Sequence, residues 1–310
     1  MKTSNHLLRR LTAALLAAVL ALSIALPVFA SDDGDTIYIN SVSDLLSLAR
    51  NCAYDQWSVG KTVILQKDLS LEGMLWEPIP SFSGQFKGNG HTISDLTITG
   101  QYSPAGLFGI VEEQGSIESL SVRGVVSVSD SADTTTGGIV GINHGTLINC
   151  QFTGVVTGDS EVGGIVGRNE SEGTIDHGTA RAIVTGKSST GGIAGYNLGA
   201  ITGCTNVGSI NTEYPEASLD TDGFTAKMVD YINNKMAAAD NDATNSVTNV
   251  ATDTGGIAGR SSGMILTSVN TGTIGYEHVG YNVGGIVGRT DGLVSGCVNQ
   301  GCVLGRKDVG

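Results

Sequence analysis

One five-residue pattern constrains this chain more than any other feature, because it keeps returning. Gly-Gly-Ile-Val-Gly, or the same with Ala for Val, stands at 137–141, 163–167, 191–195, 255–259 and 284–288, with a blurred version at 105–109. The glycine pairs follow one another at 26 to 32 residues, except for one step of 64 from Gly192 to Gly256. A period of that size specifies a solenoid, in which each unit buries its apolar face only against its neighbours. The final Asp308-Val309-Gly310 repeats the lead-in Glu161-Val162-Gly163, so the sequence is expected to stop inside a unit of a longer chain.

Aligned on the glycines, the units assign a role to each position. An asparagine column, Asn143, Asn169 and Asn197, continues as Ser261 and Thr290. A glycine column follows at 115, 145, 173, 199, 263 and 292. Next comes an aliphatic column of Ile117, Leu147, Ile175, Ile201, Ile265 and Val294, and later a second of Val126, Val156, Val184, Ile210, Ile274 and Val303. Short β-branched runs broken by glycine are strands, not helices. Each unit therefore reads as two or three strands forming one coil of an all-β, right-handed parallel β-helix, the hand following from strand-crossover chirality. Aliphatic columns fill the core, and asparagines hydrogen-bond from coil to coil at the corners.

Glycine supplies 45 of 310 residues, about twice the usual share, while apolar residues hold at 40%. That combination excludes a disordered chain, and the glycines lack a collagen period. Residues 1–30 carry Lys2, Arg9 and Arg10, an apolar stretch from Leu11 to Leu26, and Val28-Phe29-Ala30, the signature of a cleaved signal peptide. Its removal takes away three positive charges and no acids, moving the net charge from −13 to −16. Such a chain is repelled by phosphate backbones and anionic lipid, which argues against nucleic acid and membrane partners. The expected setting is extracellular, secreted or at the cell surface, with no membrane insertion after cleavage.

Two segments stand outside the repeat. Residues 31–104 read as an N-terminal cap and the first coils, with a short helix over Ser43–Arg50, Ser43 at its N-cap, and strands at Thr62–Leu65 and Gln85–Lys87. The helix is expected to cover the edge of the first coil. From 105 to 310 the repeat runs, interrupted at 212–250. There Phe224, Met228, Ile232 and Met236 recur every fourth residue, predicting an amphipathic helix from Gly223 to Ala239. Its apolar stripe either packs on the flank of the β-helix or binds a partner, which makes those four residues the candidate binding site.

Reactive chemistry is sparse. HExxH, GxSxG and a phosphate loop are all missing. Glu161, Asp253 and Asp308 share one repeat position, but Ser189 and Asn282 occupy it in between, so the acids do not meet on adjacent coils. They read as a solvated edge, with calcium at low affinity the one cofactor they suggest; no catalytic, metal or cofactor residue is assigned. His144 and Glu170 align on successive coils and are expected to be surface neighbours. The odd cysteine number raises the question of disulfides. Cys150, Cys204 and Cys297 fall in a column shared with Leu120, Gly178 and Ser268, a small buried position that separates the thiols.

The unit at 137–150, Gly-Gly-Ile-Val-Gly-x-Asn-x-Gly-x-Leu-x-x-Cys, resembles the GLUG-motif repeat of bacterial surface proteins. Trp76-Glu77-Pro78-Ile79 and the run from Phe86 to Ile93 resemble the segment that often precedes such repeats. That family occurs in large exported adhesin-like proteins and beside the metalloprotease domain of immunoglobulin A1 proteases. The resemblance implies a stalk or display module without catalytic residues, and the protease's zinc motif is absent from this sequence. Two functions follow as expectations. The first is a non-enzymatic binding or spacer module whose partners are host or environmental glycans or proteins. The second is a polysaccharide-cleaving β-helix enzyme.

Overall fold

The computed structural model describes residues 35–54, 56–128, 134–212, 251–276 and 280–310. The signal segment, the loop at 130–133, His278 and the insertion with Phe224, Met228, Ile232 and Met236 lie outside the described residues.

From Thr36 onward the chain coils into a parallel β-solenoid with four strands per coil. Taking one coil as the pattern, the first strand is Val140–Asn143, the second Thr146–Ile148 and the third Gln151–Thr157; the fourth, Val162–Gly163, leads into the next glycine corner. Equivalent strands pair in parallel and in register, as Leu147 with Ile117 below and Ile175 above. They build four sheets, numbered 1 to 4 in that order, of which sheet 2 runs through nine strands from Thr36–Ile39 to Leu293–Ser295. The fourth strand is one more than the repeat unit suggests. Residues such as Thr136 and Gly137 pair with Val162 and Gly163 just ahead of the bend, where the pattern shows only a corner.

Register explains the glycines. A Cβ on Gly164 would run into the carbonyl oxygen of Gly192 one coil on, and a Cβ on Gly138 into the ring of Phe152 across the core. The first glycine of each pair has its own chain in the way, since a Cβ on Gly137 would meet the carbonyl of Val140. The pattern is thus a corner where the backbones of sheets 4 and 1 come too close together for any side chain. The isoleucine between them (Ile139, Ile165, Ile193 and Ile257) is fully buried.

The core changes character along the axis. Near the start, Phe82, Phe86 and Phe108 form a buried cluster with ring centroids 5.4 to 6.3 Å apart. Trp76 is buried beside it and donates Nε1–H to the Leu107 carbonyl at 3.2 Å. Aliphatic columns carry the middle. Helix α1, Val42–Asn51, turns Leu45 and Leu48 into the same core. Its N-cap is Ser41, not Ser43. The Asp44 amide donates to Ser41 Oγ at 3.2 Å, while Asp44 Oδ2 accepts from the Asn40 amide at 3.0 Å and the Ser41 hydroxyl at 2.9 Å. This reciprocal box needs an acid three residues after the cap, which Ser41 has and Ser43 does not.

Two buried amide ladders run along the coils. In the first, Asn143 Nδ2 donates to Asn169 Oδ1 and Asn169 Nδ2 to Asn197 Oδ1, each at 2.8 Å, and Asn197 Nδ2 donates to Ser261 Oγ at 3.0 Å. The second, Asn206 to Asn270 to Asn299, links at 2.8 and 2.7 Å and replaces the apolar column of Val122, Phe152 and Ala180. Both use one local device. In Asn143-His144-Gly145 and Asn206-Val207-Gly208 the asparagine Oδ1 accepts from the glycine amide two residues on, freeing Nδ2 for the next coil.

These contacts set the outcome of a paired urea-denaturation series. Asn169→Ala leaves two buried amide partners unmatched and is expected to cost about 1–3 kcal/mol. Gly164→Ala drives a methyl into fixed backbone and is expected to cost about 3 kcal/mol or more. If Gly164→Ala unfolds at the parent's urea midpoint, the close-approach account of the motif is wrong.

Candidate functional site

Solvent-facing side chains stack in the same register as the core, so each outer position becomes a stripe. On sheet 1, the position between the motif's last glycine and the asparagine gives Ile110, Ile142, Arg168, Tyr196, Arg260 and Arg289 on successive coils. Of the seven arginines after residue 30, three stand here, which makes this the most basic column of an acidic protein. The guanidinium carbons of Arg168 and Arg260 each lie 5.2 Å from the Tyr196 ring centroid, so the ring separates two like charges and attracts both. Tyr196 Oη lies 3.3 Å from Ser262 Oγ.

The arginines differ in their partners. Arg168 is neutralised twice, with Nη1 at 3.2 Å from Glu161 Oε1 and Nε at 3.0 Å from Glu170 Oε1. Glu170 is the register neighbour of His144, as the alignment indicates, but its carboxylate pairs with Arg168, two residues away on the same face. Arg260, half-buried, and Arg289, exposed, are direct register partners. Among the described ion pairs, none joins either to a carboxylate within 4.0 Å. The acid closest in effect is Asp291. Its carboxyl is held below the usual carboxylate range mainly by a hydrogen bond from Ser262, with smaller contributions from Arg260 and Arg289.

The acidic column has a backbone explanation. Glu161, Ser189, Asp253, Asn282 and Asp308 all adopt positive φ, between 41 and 55°, at the corner that leads into the glycines, whereas their counterpart Thr135 in the first unit does not. Asp and Asn enter this left-handed region more readily than most side chains. Asn282 Nδ2 donates to Asp253 Oδ1 at 2.6 Å, so a neutral residue supplies the contact between two acidic coils. Among the described residues no group of three or more His, Cys, Asp or Glu side chains converges as a metal site would require.

All five cysteines are free. Cys150 and Cys204 stack in the column with Gly178 and Ser268 as the repeat indicates: the Gly178 amide donates to Cys204 Sγ and the Cys204 amide to Ser268 Oγ, both at 3.2 Å. Burial pushes both thiols up to about 12, and Cys52 to about 11.

The arginine column is hard to see in the repeat because its residue type changes along the axis, from Ile110 and Ile142 to Arg168, Tyr196, Arg260 and Arg289. The signal was there in Gly-Arg-Asn, Gly-Tyr-Asn, Gly-Arg-Ser and Gly-Arg-Thr. The second amide ladder was equally visible as Asn-x-Gly at 206, 270 and 299.

No protein-family model matches the chain. It is 30% identical over 155 residues to Halomucin of Haloquadratum walsbyi, a match covering 46% of this chain. It is 29% identical over 137 residues, 32% of this chain, to a protein of Evansella cellulosilytica named "Putative Gly-rich membrane protein". These matches span 2% and 16% of the two relatives' own lengths. A solved structure from Bacteroides ovatus, described as "a putative immunoglobulin A1 protease", superimposes with a TM-score of 0.48 at 16% identity, over 84% of this chain and 74% of the other. Among the described residues no helix is long and apolar enough to cross a membrane.

The thiol assignments predict an order of alkylation. In the native chain iodoacetamide at pH 8 is expected to modify exposed Cys302 first and half-buried Cys297 next. Cys52, Cys150 and Cys204 should react only after denaturation, because their thiolates are suppressed and enclosed. Peptide mapping by mass spectrometry reads this out, and native modification of Cys204 would contradict the stacked column.

Proposed function

We propose that this chain is an exported β-helix module displayed at the cell surface, serving as the binding or spacer part of a larger protein and not turning over what it holds. One observation carries the reading. In-register stacking sets each outer position a rung from its counterpart, so the surface consists of stripes running along the axis instead of side chains converging on one point. A stripe suits contact with an extended partner, and a rod of continuous core suits holding that contact away from the cell.

Further support comes from likeness. The repeat resembles GLUG-motif units of bacterial surface proteins, and the relatives' names, Halomucin and a Gly-rich membrane protein, fit an envelope setting. In this reading α1 is a cap. Its buried Leu45 and Leu48 cover the opening of the core beside the first strand of sheet 2, an edge that would otherwise invite pairing with other chains.

The test is incubation of the purified chain with a panel of neutral and acidic polysaccharides, followed by size-exclusion profiles and reducing-end assay. The expected result is retention of one or more polymers at unchanged length. Chain shortening that disappears when exposed acids are replaced would overturn the reading in favour of a polysaccharide-cleaving enzyme.

A further inference from the structure

The sheet 1 stripe contains a like-charge pairing that none of the other described strand registers shows. Arg260 and Arg289 are register partners on adjacent strands, about 4.8 Å apart along the stack. Like charges placed directly opposite one another destabilise a sheet. Elsewhere in the same column the conflict is removed: Tyr196 separates Arg168 from Arg260, and Glu161 and Glu170 neutralise Arg168. Between Arg260 and Arg289 there is no spacer, and among the described ion pairs none joins either arginine to a carboxylate.

We propose that Arg260 and Arg289 form a binding site for the oxyanion of an acidic sugar, a carboxylate or sulfate group on a glycan, bridged by the two guanidinium groups. Each guanidinium presents a planar fork of N–H donors that matches either oxyanion bidentately. Two forks one rung apart can clasp one such group or two on neighbouring sugars. The inference deepens the display reading above and rests on it. An isolated charge on a sugar suits this chain better than a nucleic acid, whose phosphates recur every few ångströms. At physiological ionic strength the net charge, −13 with residues 1–30 and −16 without them, is screened beyond about 8 Å, so a single oxyanion responds mainly to the arginines it touches.

The experiment is calorimetric titration of the purified chain with a hyaluronan hexasaccharide for carboxylate, a chondroitin sulfate hexasaccharide for sulfate, chitohexaose as the uncharged control and a short single-stranded DNA. The expected result is binding of one or both acidic oligosaccharides and not of chitohexaose. The double variant Arg260→Gln/Arg289→Gln should weaken it about tenfold or more, the loss of charge-assisted hydrogen bonds. Arg181→Gln, on sheet 3, should leave it unchanged. Absence of binding to both acidic oligosaccharides, binding indifferent to the double variant, or equally tight binding of DNA would each overturn the site. Arg289→Gln alone should unfold at the parent's urea midpoint or above it; a lower midpoint would mark Arg289 as structural and overturn the proposal. Recovery of the oligosaccharide after titration separates this proposal from the reading it rests on. Cleavage with arginine-dependent binding would sink the non-enzymatic reading and leave the site standing.

Discussion

Everything in this molecule depends on the parallel, in-register hydrogen bonding of one coil to the next. No coil can satisfy its own strands, so the sheets exist only as stacks, and pairing without slippage places each residue over its counterpart about 4.8 Å away. The consequence is a rule of composition: a position is occupied by what can stack on itself. Aliphatics stack because they bury surface, and amides because Nδ2 donates while Oδ1 accepts. Asn143, Asn169 and Asn197 use both ends of the same group, so the ladder propagates without an orphan between them.

The same spacing turns glycine from a flexible residue into a steric requirement. Most glycines of the motif do not stand at positive φ; what they lack is room for a Cβ, as at Gly138 against Phe152 and Gly164 against the Gly192 carbonyl. When the opposing core residue changes from Phe152 or Ala180 to Asn206 and Asn270, the glycine stays, because Gly192 and Gly256 would then collide with the amide instead. The core can thus pass from aromatic through aliphatic to amide along its length while the corner sequence hardly changes.

This division explains how much was legible beforehand. Positions fixed by self-stacking leave a column in the sequence, and the coil architecture, the cysteine column and the first asparagine ladder are legible from such columns, whereas the strands at 62–65 and 85–87 are legible from their local residue pattern. The second ladder has the same signature but begins only at Asn206, where the column changes from Val122, Phe152 and Ala180, so the earlier units give no sign of it. The N-cap was misplaced by two residues because a serine alone does not identify a cap; the acid three residues on does, and only Ser41 has one. The fourth strand was hidden because its two paired residues, as in Thr136-Gly137, merge with the corner. Of the site, the acid column was visible but its cause was not, since positive φ at Asp253 and Asn282 is a property of the backbone path.

Charge is the one property that self-stacking punishes, and the outer columns show how the chain responds. Along the acidic corner, register places Ser189 between Glu161 and Asp253, and Asn282 between Asp253 and Asp308, so no two acids are adjacent. The basic column follows the same rule as far as Tyr196. A chain that alternates its charges along both stripes and then sets Arg260 against Arg289 has departed from its own pattern where the cost is plain. Departures from local consistency in otherwise consistent folds mark functional positions more often than errors. The corner acids stay within the rule and have a structural cause in the backbone; Arg260 stacks on Tyr196 on one side, but its register with Arg289 on the other breaks the rule. That contrast, more than the presence of charge itself, distinguishes a recognition site from a solvated edge.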